Sequence, residues 1–177
     1  MQIRLVGPLC LALTLATGAL AQQPDLCFGR TYDAAHLAAN PLQQVRDIRV
    51  LELPPDDSDP AYGVTNYDIR VLFRDDPREF NAAPGCLKGE TDALRCIVEC
   101  DGGVMFPERL ADGRLKITTS YLRAETTEGA DGEGGCAEPV TRSIADNRPE
   151  GADEEQVHQT IFLLYPRDPR ECKWQGH

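Results

Sequence analysis

The chain is short of the residues on which most enzymes and nucleic-acid readers depend. It has three histidines, His36, His158 and His177, and only 6% aromatic residues. Positive charge is scarce too: 18 Lys and Arg stand against 29 Asp and Glu, a formal net charge of −11. That balance excludes binding to a phosphate backbone or an anionic membrane surface by charge, since both require an excess of Lys and Arg. The serines Ser58, Ser120 and Ser143 lack the G-x-S-x-G context of a hydrolase nucleophile. No phosphate-cradling glycine loop or dinucleotide fingerprint occurs. Asn40, Asn66, Asn81 and Asn147 all fail the Asn-x-Ser/Thr acceptor pattern. Long apolar runs are missing as well. The longest, Leu5 to Leu15, falls short of the ~20 residues that a membrane-spanning helix needs.

That one run has a different use. Arg4 precedes it, and small residues ending in Ala19-Leu20-Ala21 follow it before Gln22-Gln23-Pro24. A charged start, a short apolar core and an A-x-A site make residues 1–21 a cleaved secretion signal. Pro8-Leu9-Cys10 lacks the small residues that precede a lipidated cysteine. Cleavage leaves residues 22–177 as a single domain of ordinary size. Loss of Arg4 takes the charge from −11 to −12. With no glycosylation sites, the expected compartment is the bacterial periplasm or another secreted setting.

Of seven cysteines, Cys10 leaves with the signal, so six remain: Cys27, Cys86, Cys96, Cys100, Cys136 and Cys172. An even set in an exported chain reads as disulfides. A zinc site would show a second close Cys or His pair, and here only Cys96-x-x-x-Cys100 has such spacing. On an extended strand those two Cα atoms lie ~13 Å apart, too far to bridge. The preferred pairing is Cys86–Cys96 across a hairpin, Cys100–Cys136, and Cys27–Cys172 tying the ends together.

The pattern is mainly β. One short N-terminal helix is expected from Asp33 to Asn40, capped by Asp33 and ended by Asn40-Pro41. Strands follow. Val45 to Leu53 is rich in Val, Ile and Leu. Tyr67, Ile69, Val71 and Phe73 alternate with Asp68, Arg70 and Leu72; Leu94, Cys96, Val98 and Cys100 with Arg95, Ile97 and Glu99; and Leu115, Ile117, Thr119 and Tyr121 with Arg114, Lys116, Thr118 and Ser120. Thr160 to Tyr165 is apolar on both faces, which suits a central strand. Asp112-Gly113 is a hairpin signal, and Lys88 to Asp92 supplies another turn. Such short strands fit an antiparallel β-barrel or β-sandwich stapled by disulfides. Glu125 to Gly135 and Asp146 to Glu155 read as exposed acidic loops. Asp-Pro-Arg-Glu occurs at 76–79 and again at 168–171, and each copy predicts a short helical turn closing a strand.

No catalytic or cofactor residue stands out. A catalytic His36 would need a nucleophile and an orienting acid, and neither the serines nor the paired cysteines supply the first. Glu99 and Asp101 flank Cys100 as a charged strand end and turn. Asp56-Asp57-Ser58-Asp59 and Asp131-Gly132-Glu133-Gly134 offer oxygen ligands without the EF-hand pattern. The expectation is therefore an exported, non-enzymatic binding domain. Its partner would be a small ligand in a barrel mouth or a cationic protein. The rival readings are a hydrolase with a carboxylate and His36, and a calcium-stabilised extracellular module.

Overall fold

The computed structural model describes residues 26–54, 65–89, 93–129, 138–151 and 158–173. The expected signal, both calcium-loop candidates and Cys136 lie outside these residues. In chain order the elements are β1 (Leu26–Thr31), α1 (Ala34–Ala39), β2 (Val45–Leu53), β3 (Thr65–Phe73), β4 (Glu79–Ala82), β5 (Gly85–Lys88) and β6 (Leu94–Ile97). They continue with β7 (Gly103–Arg109), β8 (Leu115–Thr126), β9 (Val140–Ser143), β10 (Thr160–Arg167) and α2 (Pro169–Cys172). No helix among the described residues is long and apolar enough to cross a membrane.

All strand pairings are antiparallel, in one sheet of order β10-β1-β2-β3-β4-β8-β7-β6-β5, with β9 added to β8. Two further pairings join strands distant along this path: β10 with β8, and β3 with β5. The neighbours β10–β1–β2–β3–β4–β8 thus lead back to β10. Alternation sorts the side chains. On β3, Tyr67, Ile69, Val71 and Phe73 are buried, while Asn66 and Asp68 face the other way. They join Phe28, Ile48, Phe80, Met105, Leu115, Ile117, Phe162 and Leu164 in one apolar cluster. This inner face is filled by side chains, including a Phe73–Phe80 edge-to-face pair with centroids 5.0 Å apart.

A second, small cluster lies on the other side of the sheet. The disulfide Cys27–Cys172 holds α2 against β1 and β2, over Leu51 and Leu53. Arg70, only 8% exposed, donates from Nη2 to the Glu171 carbonyl at 3.1 Å. The bridge therefore ties the first described strand to the last element and covers a charged outer side chain.

Four details depart from the sequence pattern. First, β6 stops at Ile97, so the alternation through Val98 and Cys100 is not strand. Cys100 and Asp101 instead take left-handed backbone, with φ 55° and 59°, in a turn. Second, β8 does not hold its period. Val104 pairs with Tyr121 but Met105 pairs with Thr119, leaving Ser120 as the extra residue of a bulge. A bulge shifts parity by one, so Tyr121 is 44% exposed while Leu122 and Ala124 turn inward. Third, β8 runs to Thr126, so Glu125 belongs to a strand rather than to an acidic loop. Fourth, the Asp-Pro-Arg-Glu copies diverge. Asp168 accepts from Arg170 N and caps α2. Asp76 accepts from Arg78 N in the same way, yet Glu79 then opens β4, because residues Glu79 to Ala82 pair with β3. The same local turn leads into helix or strand according to the ladder available to it.

β10 is central in the ladder, bonded to β1 on one edge and β8 on the other. Its faces are unequal. Phe162 and Leu164 are buried, but Ile161 is 60% exposed.

Candidate functional site

The sheet forks at β8. Up to Leu122 its partner is β7; at Glu125 its partner is Asn81 of β4. Between these pairings the strands part, and the sheet continues around the opening through β5, β6 and β7. A cleft of about 530 Å³ occupies the opening. One wall is the break between β4 and β5, with Ala82, Ala83 and Gly85. A second carries Ile97 and Val98 and leads into the turn at Glu99 and Cys100. Arg123 and Glu125 of β8 form the third. Asn66 and Leu87 complete the lining. This volume lies in the range of small-ligand sites, as does the mix of apolar walls and a few polar groups.

Arg123 organises the rim. Its Nη1 donates to the Cys100 carbonyl at 2.9 Å and its Nη2 to the Glu99 carbonyl at 3.1 Å. Its backbone N donates to the Gly102 carbonyl at 2.7 Å. These bonds pin a turn whose left-handed residues are neither glycine, a conformation that costs ~1–2 kcal/mol per residue. The Arg123 Nε is buried without a hydrogen-bond partner among the described residues, and the nearest Glu125 carboxylate oxygen is 4.0 Å away. Gly103 makes the close approach of turn and strand feasible. It has φ 90°, and a Cβ there would meet the Tyr121 carbonyl oxygen at 2.1 Å.

A second depression of about 670 Å³ lies beside β7, lined by Leu94, Phe106, Glu108, Lys116 and Thr118 among others. Its charges are already paired: Lys116 Nζ sits 2.5 Å from Glu108, and Arg109 pairs with Glu52. In the fork cleft, by contrast, the side chains of Asn66 and Glu99 make no hydrogen bond or ion pair among the described residues. The fork cleft is therefore the better candidate.

The structure scatters the other sequence candidates. Cys86–Cys96 crosses the β5–β6 hairpin behind the cleft, and Cys27–Cys172 lies under α2. Cys100 is exposed on the cleft rim, with no bridge to a described cysteine. His36 is on α1, where Nε2 meets Gln43 Oε1 at 3.0 Å and the ring lies 4.7 Å from that of Tyr32. Neither contact supplies a nucleophile or an orienting acid. Burial pushes the Tyr32 hydroxyl up to about 12, and it raises Tyr67 as well, with the Glu52 carboxylate adding to the effect. Both phenols stay protonated at neutral pH and act as packing groups. Asp76 and Asp168 are held down to about 2 by the bonds from Arg78 and Arg170. No group of three metal-ligating side chains forms among the described residues.

Asn66, Asn81 and Arg123 did not emerge from the sequence. They come from β3, β4 and β8 and meet only through strand pairing. A usable signal existed for Arg123: Leu122 and Ala124 are apolar one step out of phase with Leu115 and Ile117, which marks the bulge. Comparison with protein-family models, curated proteins and solved structures gives no match.

Proposed function

We propose that this chain is an exported, non-enzymatic binding domain whose small ligand seats in the fork cleft. The cleft itself carries the reading: about 530 Å³ of space with apolar walls and unpaired polar groups at one end. The filled inner face favours this outer cleft over a barrel mouth, because the apolar cluster occupies the space a ligand would need there. The two disulfides fit an oxidising compartment. The ring of pairings β10–β1–β2–β3–β4–β8 favours a barrel wall over a two-sheet sandwich. Export further implies a mature N-terminus at Gln22 and pairing of Cys100 with Cys136.

The binding reading is tested by titrating ¹⁵N-labelled protein with a mixture of small apolar and amphiphilic fragments. Amide shifts should concentrate at Ala83, Ile97 and Val98. Ala83→Trp, which fills the cleft from an exposed position, should abolish them. Shifts elsewhere, or none, overturn the site. Export and pairing are read separately on protein purified from its secreting host. Intact mass should begin at Gln22, and thiol labelling after denaturation should find no free cysteine.

A further inference from the structure

The cleft carries more negative than positive charge, and its one guanidinium is committed. Arg123 directs both terminal nitrogens at backbone carbonyls of the rim, and its Nε is buried beside Glu125. The Asn81 amide nitrogen donates to the Asp68 carboxylate, which leaves its carbonyl oxygen for the cleft. The Glu99 carboxylate is exposed and without a partner among the described residues, and Glu125 is half-exposed. Two carboxylates against one committed guanidinium call for a ligand of positive charge. Ala82, Ala83, Leu87, Ile97 and Val98 ask at the same time for an apolar stem.

We infer that the cleft binds an alkylammonium group: an apolar stem ending in a cationic amine. This rests on the cleft being a binding site. An ammonium brings a positive charge and three donors to the two carboxylates. A carboxylate ligand meets like charge from Glu99 and Glu125, and a guanidinium whose terminal nitrogens are already bound to backbone. The formal charge of −11 on the whole chain works in the same direction, drawing cations towards the surface and slowing anions. The amine has two natural sources, a free small amine or the lysine side chain of a partner peptide.

The experiment titrates the protein with n-hexylamine, n-hexanol, hexanoate and a lysine-centred alanine pentapeptide, following the Ala83, Val98 and Cys100 amides. n-Hexylamine should bind about tenfold or more tightly than n-hexanol, the worth of one charge-assisted hydrogen bond. Hexanoate should be weakest. Glu125→Gln should reduce n-hexylamine affinity towards that of n-hexanol and leave n-hexanol unchanged. If n-hexanol equals n-hexylamine, or hexanoate binds best, the charge inference falls while the cleft stands as a binding site. If no probe shifts these amides, the binding reading itself falls. A pentapeptide tighter than n-hexylamine supports a lysine partner; a weaker one supports a free amine.

Discussion

The two halves of β8 share one strand and differ in almost everything else. From Leu115 to Thr119 the strand is bonded on both edges, to β7 and to β10, and points Leu115 and Ile117 into the apolar cluster. Beyond the bulge at Ser120 it keeps β7 only as far as Leu122, then meets β4 and β9 and points Arg123 and Glu125 into the cleft. One unpaired residue separates a half fixed in the ladder on both edges from a half that lines the cleft. The first half is fixed by apolar burial and the second by charge-assisted bonds to a turn. Substitutions in the two halves should therefore fail in different ways.

The largest effect belongs to the first half. Ile117→Ala removes a fully buried side chain from the cluster and should cost about 4 kcal/mol, the upper part of the range for such truncations. Chemical denaturation should show a lower midpoint with an unchanged slope. The cleft amides should remain responsive to ligand in the folded fraction, because the cavity opens on the inner face.

Gly103→Ala attacks the junction. Any Cβ there collides with the Tyr121 backbone and must adopt a left-handed φ of 90°. The cost should be about 3 kcal/mol, since strain of this kind runs at 1–3 kcal/mol and the clash adds to it. Unlike Ile117→Ala, this variant should also displace the Val98 and Cys100 amide resonances. A change confined to Ile117's neighbours would show that the junction is looser than the bulge requires.

Arg123→Gln tests the second half. It removes two charge-assisted bonds to the Cys100 and Glu99 carbonyls from a partly exposed site. A loss of about 2 kcal/mol is expected. The distinguishing readout is hydrogen exchange. Protection should fall at Gly102 and Val98 and persist at Ile117 and Phe162. Arg123→Lys should not rescue it, because a single ammonium cannot span two carbonyls as a planar fork does.

The same division governs what the sequence disclosed. The alternation of Tyr67 to Phe73 and the Asp112-Gly113 turn are local, and both read directly: Gly113 has φ 85° and bonds back to Leu110. The hairpin bridge Cys86–Cys96 was legible because its two strands are consecutive. The cleft was not. Its polar groups sit on β3, β4 and β8, far apart in the chain, and the fork exists only because β4 and β7 both claim β8. Extending the β6 alternation to Cys100 failed for a related reason. Gly102-Gly103 permits a tight turn there, and the Arg123 bonds that hold it come from more than twenty residues away.

The smallest effect lies where the two halves are joined. After β9, Ile144 N bonds to the Leu122 carbonyl of the second half, and Asp146 N bonds to Thr160 Oγ1 at 2.7 Å. Thr160 pairs with Thr119 of the first half. Asp146 Oδ1 is buried with no hydrogen-bond partner among the described residues. Burial raises its carboxyl above the ordinary carboxylate range, opposed by His158 and the Thr160 hydroxyl. A raised carboxyl binds its proton more tightly in the folded chain than in the unfolded one. Its favourable contribution is therefore complete below the unfolded value of ~3.9 and is lost as pH climbs through the folded value. At pH 7 the buried charge is a net cost. Asp146→Asn, which keeps the shape and removes the charge, should raise the melting temperature slightly at pH 7. The gain should shrink as pH falls through the raised folded value, below which the native carboxyl is neutral too. Thermal melts of both proteins across that interval measure the difference directly. A gain that stays constant with pH would place its origin in amide hydrogen bonding rather than in ionisation, and the junction would then tolerate the buried charge.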